Sequence, residues 1–209
     1  MPLTNDLRDE YESRFANCKV RAERAEEIEN TITHIMKSRP RYEAVSAVTR
    51  VPWYVIAIIH NMECGGSFDC HLHNGDPLRE RTVRQPPGRP LSGDPPFTWE
   101  ASAIDALEYD GFDVWRDWSV AGTLYKLELY NGFGYRARKV PTPYLWSATQ
   151  FYDRGKFVEV KVAPKSYKVE FNPYLVSKQI GAAAILRRMA DQHLIDLGLP
   201  TDEKCAGVS

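Results

Sequence analysis

Val51-Pro52-Trp53-Tyr54-Val55-Ile56-Ala57-Ile58-Ile59-His60-Asn61-Met62-Glu63-Cys64-Gly65-Gly66 is the stretch on which the reading of this chain turns. Pro52 suits the first turn of a helix, where its missing N–H costs nothing. The residues after it are apolar nearly all round, the pattern of a helix buried in the middle of a domain. Gly65-Gly66 supplies residues that tolerate the left-handed conformation and stop it. Glu63 then falls in the last turn. Partial burial there raises a carboxyl pKa, and the negative end of the helix dipole acts in the same direction. A carboxyl kept protonated near neutral pH is what a general acid for a glycosidic oxygen requires. The plain alternative is a polar residue exposed at a helix end.

Upstream, residues 4–37 read as one long helix, with apolar positions at spacings of three and four from Tyr11 to Met36. Thr4 to Asp6 can cap it, and Pro40 should end it. Residues 42–49 then form a short amphipathic helix. Downstream, residues 67–96 lose helical periodicity and gather Pro, Gly and His. Asn74-Gly75 signals a hairpin, and Pro77 confines its second arm to an edge. Helices are expected again over 99–109, 119–130 and, more briefly, 143–153. Strands fit 156–162 and 167–171, and a last amphipathic helix fits 176–197. The expectation is a mainly α (α+β) chain with a central buried helix and a small β-hairpin region. It is one domain over 1–209, with a packing helix (1–38), a core (42–150) and a C-terminal extension (151–209).

A length of 209 residues allows a sizeable core. The net charge of -1 argues against a nucleic-acid protein. The 5 Trp, 11 Tyr and 8 Phe suit either a core or the flat faces of sugar rings. No basic segment leads into an apolar run at the start, and the apolar stretch 51–59 is too short to cross a bilayer. A product made in the cytoplasm without stable membrane insertion is therefore expected. Four cysteines are too scattered for a disulfide scaffold, although Cys64 and Cys70 are close enough in sequence to pair. His60, Glu63, Cys64, Cys70, His71 and His73 are all potential zinc ligands, and His60 and Glu63 share a helix face. They match no zinc signature, H-E-x-x-H being absent, so no metal or cofactor is assigned. A zinc amidase or peptidase remains an alternative. His71 and His73 alternate and should point to one face. If that face lines a cleft, His73 is a binding candidate.

The order Tyr42…Ala47…Val51-Pro52…Ile58-Ile59…Glu63…Ser67-Phe68 resembles the lytic transglycosylase and goose-type lysozyme group. Tyr130-Asn131-Gly132-Phe133-Gly134-Tyr135 is similar to that group's "Y-N-x-G" segment, and the resemblance covers residues 42–146. Cys64-Gly65-Gly66 departs from it by standing between Glu63 and Ser67. Residues 71–90 most resemble a lysozyme-like endolysin subgroup. The resemblance implies a lysozyme-like fold and a monomeric muramidase acting on the glycan strands of bacterial peptidoglycan after release from the cytoplasm.

Under it, Glu63 is the acid, while Ser67 touches substrate or orients Glu63, with Phe68 beside it. Tyr130 and Asn131 bind the muramyl unit, and Phe133 and Tyr135 are core or sugar-stacking residues. A hydrolase needs a second carboxylate. Asp76, just after the turn expected to face Glu63, is the candidate and Asp69 the reserve. The Thr82 hydroxyl is a candidate for holding a water. A transglycosylase, leaving 1,6-anhydro-muramyl ends, needs no second carboxylate. A glycan-binding or virion protein without activity is a further alternative.

Overall fold

The computed structural model describes residues 1–163 and 166–199. It is mainly helical, with a small two-stranded antiparallel sheet. At its centre lies α3 (Trp53–Cys64), in which Val55, Ile56, Ala57, Ile58, Ile59 and His60 are all essentially without solvent contact. Gly65 closes it at φ 59°, returning its N–H to Asn61. Helices α2 (Ala25–Thr49) and α7 (Ala182–Asp191) pack on it.

The N-terminal part differs from expectation. Instead of one helix from 4 to 37, α1 (Asn5–Ala16) ends at Asn17, and a bridge between Val20 and Thr149 draws the chain away. Thr4 caps α1 as expected, accepting from the Leu7 N–H. Helix α2 does not end at Pro40 but runs through it to Thr49, absorbing the short helix expected at 42–49. The proline ring lies on the exposed side. The lost hydrogen bond to the carbonyl of Met36 is outweighed by the buried face of Ile28, Ile32, Ile35, Tyr42, Val45 and Thr49. The expected break between packing helix and core thus lies inside a continuous helix.

Helices α4 (Trp99–Tyr109) and α5 (Val120–Asn131) stand where periodicity put them, capped by Thr98 and Ser119. Between α3 and α4 the expected hairpin is a tight turn without strands. His71 N–H donates to the Asp76 carbonyl and Gly75 N–H to the His71 carbonyl, with one isolated bridge from Cys70 to Pro77. Gly75 has φ 75°, and a Cβ there would come within 3.1 Å of the Glu63 carbonyl oxygen. The turn is therefore pressed against the end of α3 by a residue without a side chain.

Further on, α6 (Pro143–Trp146) is a single turn. The longer helix expected to 153 stops where Ala148 takes φ 66°. Strands β1 (Lys156–Ala163) and β2 (Ser166–Asn172) pair as a hairpin with Phe157 opposite Phe171. The last helix starts at Ala182 rather than 176 and ends at Asp191. Its N-cap Gly181 sits where a Cβ would collide with the Leu145 carbonyl. Among the described residues no helix is long and apolar enough to cross a membrane.

Candidate active site

Glu63 ends the central helix half-buried, and its Oε1 accepts a hydrogen bond from the Tyr144 hydroxyl at 3.3 Å. Burial pushes its carboxyl up to about 7; the Tyr144 hydrogen bond opposes this and the negative charge of Asp110 adds to it. Tyr144 is fixed by local chemistry. Thr142 caps α6 and accepts from the Tyr144 N–H at 3.3 Å, and Pro143 opens the helix. The ring of Tyr130, the last residue but one of α5, lies 6.3 Å from that of Tyr144, and its hydroxyl donates to the Leu72 carbonyl at 3.4 Å. Both phenols are held well above their ordinary pKa by burial, with Glu63 and Asp110 adding to it, so both stay donors.

Tyr144 also walls a cleft of about 420 Å³ with Asn131, Tyr135, Lys156, Phe157 and Gln179. The cleft and Glu63 are adjacent on a second count, since the Gln179 side chain donates to the carbonyl of Met62 at 2.6 Å. One wall is β1 of the C-terminal hairpin, through Lys156 and Phe157.

The expected residues separate into two groups. Tyr130, Asn131 and Tyr135 are gathered here. Asn131 is exposed and donates to Thr142 Oγ1 at 3.4 Å. The Tyr135 hydroxyl accepts from the Phe157 N–H at 3.1 Å. Phe133 packs against Tyr125 instead, their rings 5.8 Å apart.

The others serve the loop. Ser67 accepts from His60 through its carbonyl at 2.8 Å and from the Asp69 N–H through its hydroxyl at 3.3 Å. Phe68 lies against His60, Trp99 and Tyr42, with the Arg41 guanidinium stacked 3.8 Å from its centre, and faces a separate groove. The side chain of His73 is wholly buried and donates to Asp105 at 2.8 Å. Thr82 gives its hydroxyl hydrogen to the Pro86 carbonyl and accepts from the Arg89 N–H, leaving no free hydroxyl for a water. Asp69 is exposed.

Asp76 is the clearest correction. Its Oδ2 accepts from the N–H groups of Val83 and Arg84 at 2.9 and 3.0 Å, and its Oδ1 pairs with Arg84 Nε at 2.6 Å. Although burial works the other way, these bonds hold its carboxyl below the usual range. With 4 % exposure it is a loop clasp rather than a group open to substrate.

The histidines are similarly committed. His60 accepts from Tyr42 at 3.0 Å and donates to Ser67, and burial drives its pKa down to about 4. His71 bonds Ser102 and the Glu80 carbonyl. Cys64 and Cys70 are free thiols, and Cys64 donates to the His71 carbonyl at 3.2 Å, its thiol pushed up to about 12 by burial. Among the described residues no three potential ligands come together as a metal site.

No family model, curated protein or solved structure matches this chain. Sequence reasoning missed Tyr144 and Gln179, which bind the end of α3 from afar. A signal for Tyr144 existed: Thr142-Pro143 is a helix start, which places Tyr144 in a first turn.

Proposed function

We propose that this chain is a peptidoglycan-degrading muramidase of lysozyme-like fold, cleaving the bond between MurNAc and GlcNAc with Glu63 as general acid. The observation that carries the reading is the half-buried Glu63 carboxyl at the end of the central helix, pushed up to about 7 by burial and joined through the Tyr144 hydroxyl to an aromatic and polar cleft. Glu63, protonated, passes its proton to the glycosidic oxygen as the bond to the sugar breaks. The Tyr144 hydroxyl orients the carboxyl and steadies the carboxylate left behind. Asn131, Lys156 and Gln179 offer donors to sugar hydroxyl and acetamido groups, and Tyr135 and Phe157 offer ring faces.

A lytic transglycosylase is the second reading, and the engagement of Asp76 by Arg84 favours it. There the substrate's own hydroxyl attacks, and one Glu serves as acid and then base. Digestion of purified sacculi followed by mass spectrometry separates the two. New reducing ends are expected for the hydrolase and 1,6-anhydro-muramyl ends for the transglycosylase. A folded chain that binds the glycan and releases no fragment overturns both and leaves a glycan-binding protein.

A further inference from the structure

Two thiols stand at the end of the central helix, and neither takes part in the chemistry above. Cys64 is the last residue of α3, next to Glu63, and Cys70 follows in the loop; both are free and half-buried. The chain between them folds back on itself. Gly65 and Gly66 take φ 59° and 77°, the left-handed region that glycine enters without strain. The Gly66 N–H returns to the His60 carbonyl at 3.3 Å, and the Ser67 N–H to the Cys64 carbonyl at 3.1 Å. Cys70 is fixed from its other side by the bridge to Pro77 and by the Leu78 N–H, which donates to the Asp69 carbonyl at 3.0 Å. The reversal brings the two side chains together. The Cys64 thiol donates to the carbonyl of His71, the residue after Cys70, at 3.2 Å, and it also meets the Cys70 sulfur.

The two thiols differ in access. Cys70 lines an open groove of about 670 Å³ together with Phe68, Pro77, Leu78 and Arg79, so a small molecule can reach it from solvent. Cys64 is not part of that wall and lies behind Cys70. Cys18, by contrast, is buried in the main core, away from this loop. Reactivity of a thiol towards a disulfide needs access as well as a sulfur placed to complete the exchange. Cys70 has the first and Cys64 provides the second.

We propose that Cys64 and Cys70 form a thiol–disulfide exchange site, which a small disulfide enters at Cys70 and Cys64 closes, tying the end of α3 to the loop that follows. The site stands apart from the muramidase reading above. Cys70 loses its proton to solvent, and its sulfur attacks one sulfur of the small disulfide. That S–S bond breaks, and its electron pair leaves with the other half as a thiolate, which takes up a proton. Cys70 then carries a mixed disulfide. Cys64 loses its proton in turn and attacks the Cys70 sulfur, expelling the second half as a thiol. Two protein thiols are oxidised and one small disulfide is reduced to two thiols, so the exchange balances. Burial pushes the Cys64 thiol up to about 12, with Cys70 and Glu63 adding to it, so little of it is thiolate near neutral pH. Its part is therefore to resolve a disulfide already beside it, not to open one from solvent.

The test uses the full chain, reduced, freed of reductant and incubated folded with glutathione disulfide near pH 8. It is then alkylated, cut with trypsin and mapped by mass spectrometry. Both cysteines fall in one tryptic peptide, residues 51–79. We expect that peptide about 2 Da lighter than its reduced form and closed to alkylation, with Cys18 still a thiol and dithiothreitol restoring the reduced mass. The bridged chain should melt several degrees above the reduced one, because the bridge restricts the unfolded chain. In Cys64→Ser the glutathione should stay on Cys70, and Cys70→Ser should react at least about 10-fold more slowly than wild type. A wild-type chain that keeps glutathione on Cys70, or leaves both thiols open to alkylation, overturns the proposal. So does a bridged chain that melts at or below the reduced one, since the fold would then have to distort to close it.

Discussion

Glu63 is pulled in two directions by its neighbours, and the balance sets its chemistry. Burial and Asp110 favour the neutral acid, and the Tyr144 hydroxyl favours the carboxylate. Removing that hydroxyl with Tyr144→Phe should raise the Glu63 pKa further. The alkaline limb of the pH–rate profile, expected near 7 in the wild type, should then move upward by about half a unit to one unit. An unmoved limb separates Tyr144 from the acid. Asp76→Asn tests the loop clasp. It should weaken the bonds to Val83 and Arg84 and cost about 1–3 kcal/mol in urea unfolding. At this scale the sequence placed Glu63 and the Tyr130-Asn131 pair at helix ends, which local pattern can locate. It could not expose Tyr144, 81 residues away from Glu63, nor show that Arg84 had already claimed Asp76. Both depend on how distant segments meet.

Among the elements, α2 shows how a strong local signal can lose. Pro40 is a helix breaker by every local rule, yet Ile28, Ile32, Ile35, Tyr42, Val45 and Thr49 continue one buried stripe across it. Those spacings are in the sequence, but the proline between them carries the stronger local signal. Pro40→Ala should let the Met36 carbonyl regain a partner and raise stability by about 1–3 kcal/mol, read as a higher melting temperature. A fall would mean that the ring contributes packing there. The hairpin failed for the opposite reason. Asn74-Gly75 does turn the chain, but His71, Leu72 and His73 are buried and Asp76 is tied to Arg84. No strands extend from the turn. Strands β1 and β2 were legible because alternation is a local property. Their use as a cleft wall was not.

Across the whole molecule, buried titratable groups tie stability to pH. Glu63 is raised from its ordinary 4.5 to about 7, so the folded chain keeps a proton that the unfolded chain releases. Its contribution is full below pH 4.5 and is lost as pH rises through 7. His60 is lowered from 6.5 to about 4, so its contribution is full above 6.5 and is lost as pH falls through 4. Between pH 4.5 and 6.5 the two oppose each other. Glu63→Gln removes one of them. The variant should gain on the wild type as pH rises, by about 2 kcal/mol at pH 8, which melting curves across this range would register as several degrees. A constant difference would mean that Glu63 is well solvated.

That variant also gives the most direct test of the function. Wild-type and Glu63→Gln chains, both shown folded by their melting curves, are incubated with purified sacculi near pH 6, and released glycan fragments are counted by mass spectrometry. The expected result is fragments from the wild type and a loss of about 100-fold or more in the variant. Equal release by the two chains would contradict the assignment of Glu63 as the catalytic acid.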